Sequence, residues 1–181
     1  MNVSSDLQKR AERIKLLLMD VDGVLTDGRL INVPAPDGSM FETKAFDSQD
    51  GIALQWLSWN GIASGVISGR DSPATAERAR QVKMTYVYQG HIEKIPILQE
   101  ILAKSGIVPE ETAYAGDDLT DVVVMRRVGL AIATANARPE VKRAAHYVTT
   151  ASGGQGAIRE VAELILEAQG RWSDILKRYE V

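Results

Sequence analysis

Apolar residues fall along this chain in short unbroken runs, each cut off by glycine or acid, with longer stretches of helical period between them. The first run, Leu16-Leu17-Leu18-Met19, ends in Asp20-Val21-Asp22-Gly23. A continuous run of this kind reads as a strand buried on both faces of a parallel sheet. Runs at 62–67, 84–88, 112–116, 130–133 and 146–149 predict further strands. Between them the period changes. Ser5 to Gln8 has capping-box spacing and opens a helix to about Arg13, with Leu7, Ala11 and Ile14 on one face. Asp50 is placed to cap a helix over 52–59, closed by Asn60-Gly61 and carrying Trp56 and Trp59, both expected buried. Ser72-Pro73 opens another helix. A fourth reaches Lys104, with Gly106 as its stop, and a long one over 157–168 ends at Gly170. Strands alternating with helices predict an α/β fold: a three-layer, Rossmann-like sandwich with a mainly parallel sheet.

One segment breaks the alternation. Residues 29–46 hold two extended runs around Pro34-Ala35-Pro36-Asp37-Gly38, which predicts a β-hairpin inserted directly after the first strand. Such a ribbon would overhang the sheet edge, and its own free edges need covering. Residues 1–170 read as a single domain. The tail, 171–181, carries Trp172, Ile175, Leu176 and Tyr179, too apolar to stay free, and is expected to pack on the domain or on a neighbouring subunit.

Composition narrows the classes. A chain of 181 residues with 45% hydrophobic and 25% charged residues suits one globular domain. The net charge of −3 gives no basic footprint, so nucleic acid is not an expected partner. The absence of cysteine excludes disulfides and thiolate chemistry and permits a reducing compartment. The charged, amphipathic N-terminus is no signal peptide, and no apolar run reaches the length of a membrane span. A cytoplasmic location without membrane contact is the expectation. The glycine-rich loop Ser152-Gly153-Gly154-Gln155-Gly156 has neither dinucleotide nor P-loop spacing.

The candidate chemistry sits where the strands end, the edge at which open α/β sheets bind ligands. Asp20 and Asp22, two apart on extended chain, face the same side. Two such carboxylates repel and call for a cation or a shared proton. Ser68-Gly69-Arg70 ends the second strand and offers a hydroxyl, a flexible turn and a cation. Lys94 falls near a helix start, an unfavourable place for a cation unless an anion is close. Asp117, Asp118 and Asp121 form a second acidic knot after Gly116, and three carboxylates in so few residues exceed what a helix cap requires. His91 reads as a loop residue, not as a metal ligand. Asp20, Asp22, Ser68 and Asp117, with Lys94, would share one crevice without soft ligands. That suits a hard cation, best Mg²⁺ with phosphate oxygens.

The order Asp20-Val21-Asp22-Gly23-Val24, then Ser68, Lys94 and Gly116-Asp117-Asp118-x-x-Asp121, resembles the four signatures of the haloacid dehalogenase superfamily of phosphohydrolases, over about residues 15–168. The run 20–28, the hairpin, Ser68-Gly69-Arg70 and Gly153-Gly154-Gln155-Gly156-Ala157 are similar to its small capless branch. The resemblance implies hydrolysis of phosphate from a small phosphorylated sugar acid. The eight-carbon acid of lipopolysaccharide synthesis comes first, with a nine-carbon acid or a non-catalytic tetramerising module as alternatives. It also implies roles. Asp20 would attack phosphorus. Asp22 would protonate the leaving oxygen and then activate water, repulsion from Asp20 favouring its protonated form. Asp20, the Asp22 carbonyl and Asp117 would bind Mg²⁺, with Asp118 and Asp121 in support. Ser68, Gly69 and Lys94 would hold the phosphoryl group, and Arg70 would meet the sugar-acid carboxylate or a neighbouring tail. Capless members close their sites by assembly, so a homotetramer through the 29–46 hairpin is implied. A phosphoacceptor receiver domain also clusters Asp, Ser/Thr and Lys, but it leaves Asp-x-Asp and Gly-Asp-Asp-x-x-Asp unexplained.

Overall fold

The computed structural model describes residues 4–181. Strand β1 (Leu16–Met19) is fully buried along its length. Its side chains alternate: Leu17 and Met19 enter one core cluster, Leu16 and Leu18 the other. A strand with two buried faces must be central, and β1 is. It pairs in parallel with β4 (Ala63–Ile67) on one side and with β6 (Thr112–Gly116) on the other. The chain first builds outward from β4 to β5 (Tyr86–Tyr88). It then returns across β1 and builds the other way through β6, β7 (Leu130–Ala133) and β8 (Tyr147–Val148). The order β5-β4-β1-β6-β7-β8 is parallel throughout. Its direction of growth reverses at β1, so the crevice beyond the carboxyl ends of β4, β1 and β6 is the topological switch point, where such sheets bind ligands.

Helices close both faces. On one lie α1 (Ser5–Glu12), α2 (Ser48–Trp59) and α7 (Ala157–Ala168), which bury Leu7, Leu54, Leu57 and Ile165 against the sheet. On the other lie α4 (Lys94–Ser105), α5 (Leu119–Met125) and α6 (Pro139–Ala144), contributing Leu98, Ile101, Val124 and Val141. Helix α3 (Pro73–Gln81) follows β4 and starts at Ser72 and Pro73 as the sequence predicts. The hairpin forms a separate two-stranded antiparallel sheet of β2 (Ile31–Pro34) and β3 (Met40–Thr43), shorter than the 29–46 span. Residues 172–178 form α8 (Trp172–Arg178). Trp172 meets Trp56 edge-on with ring centroids 5.5 Å apart, and Tyr179 Oη accepts from Trp56 Nε1 at 3.2 Å.

Three local expectations are corrected. The cap of α1 is Ser4, whose hydroxyl accepts from the Leu7 amide at 3.2 Å, not Ser5. Trp59 is 40% exposed, with the Arg178 guanidinium 4.1 Å from its ring centre; only Trp56 is buried. The cap of α2 is Asp47, which accepts from the Gln49 and Asp50 amides. Asp50 lies inside that helix and caps another one. Its Oδ1 accepts from the Arg159 amide of α7 at 2.7 Å, supplying the side-chain cap that Gly156 cannot.

Burial, helped by the nearby Asp47 charge, raises the Asp50 pKa to about 6, although the α7 amides pull it down. A carboxyl whose folded pKa lies above its unfolded value favours folding most when protonated. Its contribution is therefore full below the unfolded pKa and lost as pH rises through about 6. Replacing Asp50 with Ala should cost about 1–2 kcal/mol through loss of the cap. Asp50→Asn should remove the pH term, so that wild type gains on this variant between about pH 7.5 and about pH 5 in urea unfolding. An unchanged difference between the two pH values would reject this account of Asp50.

Candidate active site

The loop after β1 turns tightly because the Val24, Leu25 and Thr26 amides all converge on the Val21 carbonyl. Gly23 makes the turn possible with a φ of +89°. It also has no room for a side chain, since an added Cβ would lie 2.1 Å from Asp117 Oδ2. The Gly23 carbonyl accepts from Asn136 Nδ2 at 2.9 Å and from Thr134 Oγ1 at 3.2 Å. Gly153 closes on the same carbonyl at a distance no Cβ would allow, and the Gly154 amide donates to Val24. The glycine-rich loop thus clamps the acidic loop. Asn136, Thr134 and Gly153 are support that sequence reasoning did not connect to the acidic loop, because they reach Gly23 from more than a hundred residues away.

Asp20 leaves the end of β1 with its Oδ1 accepting from the Val21 amide at 2.7 Å and its Oδ2 3.1 Å from Lys94 Nζ. Lys94 opens α4 and is only 2% exposed. Its ammonium also donates to Asp121 Oδ1 at 2.7 Å and to the Tyr114 hydroxyl at 3.1 Å. The anion that a cation at a helix start requires is therefore present, and it is protein carboxylate. Burial alone would lower the Lys94 pKa, but Asp121 and Asp20 outweigh it and hold the pKa above the ordinary lysine value.

The second acidic knot divides its work. Asp118 caps α5, accepting from the Leu119 amide, and forms a capping box with Asp121. Asp121 is fully buried. Its Oδ2 accepts from the Asp117 and Asp118 amides, and its Oδ1 from Lys94 and the Tyr114 hydroxyl. Two of the three acids are thus accounted for by structure. Asp117 is not: its Oδ1 is buried without a hydrogen-bond partner. Burial, then the charges of Asp121, Asp20 and Asp118, raise its pKa to about 7, and burial with Asp121 raises that of Asp20 to about 6.

Oxygens of Asp20, Asp117 and Asp121 lie within 4.8 Å of one another. One ammonium faces three carboxylates, and one carboxylate oxygen is orphaned. An all-oxygen donor set with excess negative charge fits a hard divalent cation. Asp117 offers the orphaned oxygen, and each Asp20 oxygen has one partner and a lone pair to spare, whereas each Asp121 oxygen already accepts from two donors.

Across the crevice, Ser68 is 2% exposed and its Oγ accepts from the Arg70 amide at 3.2 Å, which leaves the hydroxyl proton to donate elsewhere. Ser68, Gly69, Arg70, Lys94, Asp20, Asp22 and Asp117 all line one cavity of about 320 Å³. His91 lies in the loop beside it, its amide bonded to the Ser68 carbonyl. The surroundings of Asp22 differ from the sequence expectation. Asp22 is paired not with a second acid but with Lys44, a residue at the base of the hairpin whose side chain is 1% exposed. Lys44 also lies 3.0 Å from Glu42, which in turn pairs with Arg70. Neither Lys44 nor Glu42 was singled out from sequence.

This geometry has relatives. A family model described as haloacid dehalogenase-like hydrolase matches residues 75–160. The 3-deoxy-D-manno-octulosonate 8-phosphate phosphatase of Escherichia coli K12 is 41% identical over 169 residues, spanning 93% of this chain and 88% of the relative. The chain belongs to the haloacid dehalogenase family of phosphatases. Among solved structures, a probable YrbI family phosphatase from Pseudomonas syringae superimposes with a TM-score of 0.92 at 43% identity, covering 98% of this chain and 99% of that one. The 3-deoxy-D-manno-octulosonate 8-phosphate phosphatase of Moraxella catarrhalis, in complex with magnesium ion, phosphate ion and KDO, gives 0.92 at 38% identity, with the same coverage of both chains. Among the described residues no helix is long and apolar enough to cross a membrane.

Gly23→Ala should push the Asp117 carboxylate aside while the buried core is untouched. Titration calorimetry with Mg²⁺ should then show binding weakened by roughly 10-fold or more, as for other losses of ligand orientation. Unchanged affinity would remove Asp117 from the proposed donor set.

Proposed function

We propose that this phosphatase removes phosphate from 3-deoxy-D-manno-octulosonate 8-phosphate, with Mg²⁺ bound, in the cytoplasm. The observation that carries the reading is the crevice itself. A buried carboxylate, a buried ammonium, a donor hydroxyl and an orphaned acid stand together at the switch point, in a chain 41% identical to named phosphatases of that substrate. A cysteine-free chain tolerates a reducing compartment.

The residues divide the chemistry as follows. An Asp20 oxygen attacks phosphorus as the bond from phosphorus to the sugar oxygen breaks. The bond's electron pair leaves on that oxygen, which takes a proton from Asp22. Water then gives a proton to Asp22 and attacks phosphorus, releasing inorganic phosphate and restoring the Asp20 carboxylate. Ser68 donates its free hydroxyl proton to a phosphoryl oxygen. The Lys94 proton that faces Asp20 lies beside the same oxygens once Asp20 carries the phosphoryl group. Mg²⁺, held by Asp20, Asp117 and the Asp22 carbonyl, would withdraw charge from the phosphoryl group. Asp118 and Asp121 keep these groups in register. Arg70, at the rim and about half exposed, is the cation available to a sugar-acid carboxylate.

The hairpin supports a homotetramer as the working form. Among the described residues strands β2 and β3 pair only with each other, and the hairpin exposes Leu30, Ile31, Met40 and Phe41. A small ribbon of this kind gains from being covered. Introducing Asp at both Met40 and Phe41 should shift the light-scattering mass to a smaller species; a mass equal to wild type would place the interface elsewhere.

Phosphate release should be measured with Mg²⁺ on the eight-carbon acid, a nine-carbon 9-phosphate, hexose phosphates and p-nitrophenyl phosphate. The eight-carbon ester is expected to dominate; preference for another would reassign the substrate. EDTA should stop turnover and Mg²⁺ restore it. Asp20→Asn should lower kcat by at least about 10⁴-fold with the thermal transition retained. Activity near the wild-type level would end the assignment of Asp20 as nucleophile.

A further inference from the structure

Glu42 and Lys44 are two apart on extended chain and so face the same side. That side is the crevice. Lys44 pairs with Asp22, which follows β1, and Glu42 pairs with Arg70, which follows β4. Lys44 and Glu42 are 3.0 Å apart, so acid and base alternate from one lip of the crevice to the other: Asp22, Lys44, Glu42, Arg70. The Lys44 side chain is 1% exposed and that of Glu42 15%. Removing an ammonium from water is expensive, and a buried pair of this kind repays it only when geometry is well defined. The row is therefore unlike the solvent-exposed pairs elsewhere on the surface, such as Asp174 with Lys177.

We propose that Lys44 is the positioning residue for Asp22. It holds Asp22 Oδ1, which leaves Oδ2 for the leaving oxygen, while Glu42, itself tied to Arg70, keeps Lys44 in place. The hairpin then does within one chain what a cap would otherwise do, by fixing the proton donor over the phosphorus-attacking Asp20. This rests on the reading of Asp22 as proton donor given above.

The chemistry supplies a test that a merely structural lysine would not pass. In the first step the bond from phosphorus to the ester oxygen breaks as the bond to Asp20 forms, and the electron pair departs on the ester oxygen. A sugar alkoxide needs the Asp22 proton at that moment, whereas p-nitrophenolate is stable enough to leave without it. The ratio kcat/KM covers events through this departure, so it isolates the acid's placement from the later attack by water.

Lys44→Met should be compared with wild type on p-nitrophenyl phosphate and on the sugar phosphate that wild type turns over best, with circular dichroism melts run in parallel. We expect kcat/KM to fall about 100-fold on the sugar phosphate and less than about 5-fold on p-nitrophenyl phosphate, the scale of a misplaced general acid. Lys44→Arg should recover part of the loss. Equal losses on both substrates, or no loss on either, would overturn the proposal. If Lys44→Met does not fold, Glu42→Gln carries the test: it should discriminate in the same direction by about 10-fold, and equal effects on both substrates would overturn the proposal. Failure of the underlying reading has a different signature, because Asp22→Asn with Lys44 intact would then lower kcat/KM equally on both substrates.

Discussion

One ammonium among three carboxylates is the constraint from which the rest of this site follows. Lys94, Asp20 and Asp121 are taken out of water together, and Asp117 is brought beside them with an oxygen left unpaired. Such an arrangement does not stabilise a fold, because desolvation offsets the Coulombic gain and the surplus negative charge remains. The backbone is shaped to hold it nonetheless. Gly23 admits the Asp117 carboxylate where a Cβ would stand, and Gly116 does the same for Asp121. Tyr114 sends its hydroxyl from inside the sheet to the shared Asp121 oxygen. Burial and the neighbouring carboxylates raise the pKa of both Asp20 and Asp117, and a divalent cation bound there would offset both.

The sheet supplies the rigidity this requires. Met19 is in register with Val66 of β4 and Ala115 of β6, so the first residues beyond those strands emerge at one level. Asp20, Ser68 and Asp117 inherit their spacing from hydrogen-bonded strands and not from loops. Lys94 comes from a helix start, and its reach depends on the (CH₂)₄ stem, which is why burial of that stem matters as much as the charge.

Much of this was legible from sequence, and the boundary of legibility has a physical origin. Buried strands announce themselves by unbroken apolar runs, and β1, β6 and β7 fall where those runs lie. The acidic loops could be placed at one sheet edge because strand ends in a parallel sheet share an edge. What failed was arbitration between equivalent local signals. Asp50 reads as the cap of α2, yet Asp47 three residues earlier makes it, and Asp50 turns to the Arg159 amide of α7 across the chain. Lys44 is invisible for the same reason. Nothing near it in sequence says that a hairpin residue will be buried against Asp22. The two-carboxylate spacing of Asp20 and Asp22 suggested mutual repulsion, yet the fold sends them to different cations, Lys94 and Lys44.

The hairpin shows how a short element can carry two demands without conflict. Its tip and its base differ in environment: Met40 and Phe41 are exposed, while Glu42 and Lys44 are drawn against the crevice. On β3 the exposed Met40 and Phe41 precede the ion-paired Glu42 and Lys44, while on β2 the exposed Ile31 lies opposite Thr43 at the base. A chain without a cap domain would then order Asp22, the proposed proton donor, through the hairpin. Only one cation has to be delivered to Asp22, and a two-stranded ribbon anchored at Arg70 is long enough to deliver it. The cost is a buried lysine whose place depends on charge pairing instead of apolar packing, and it falls on an element that the core does not otherwise need.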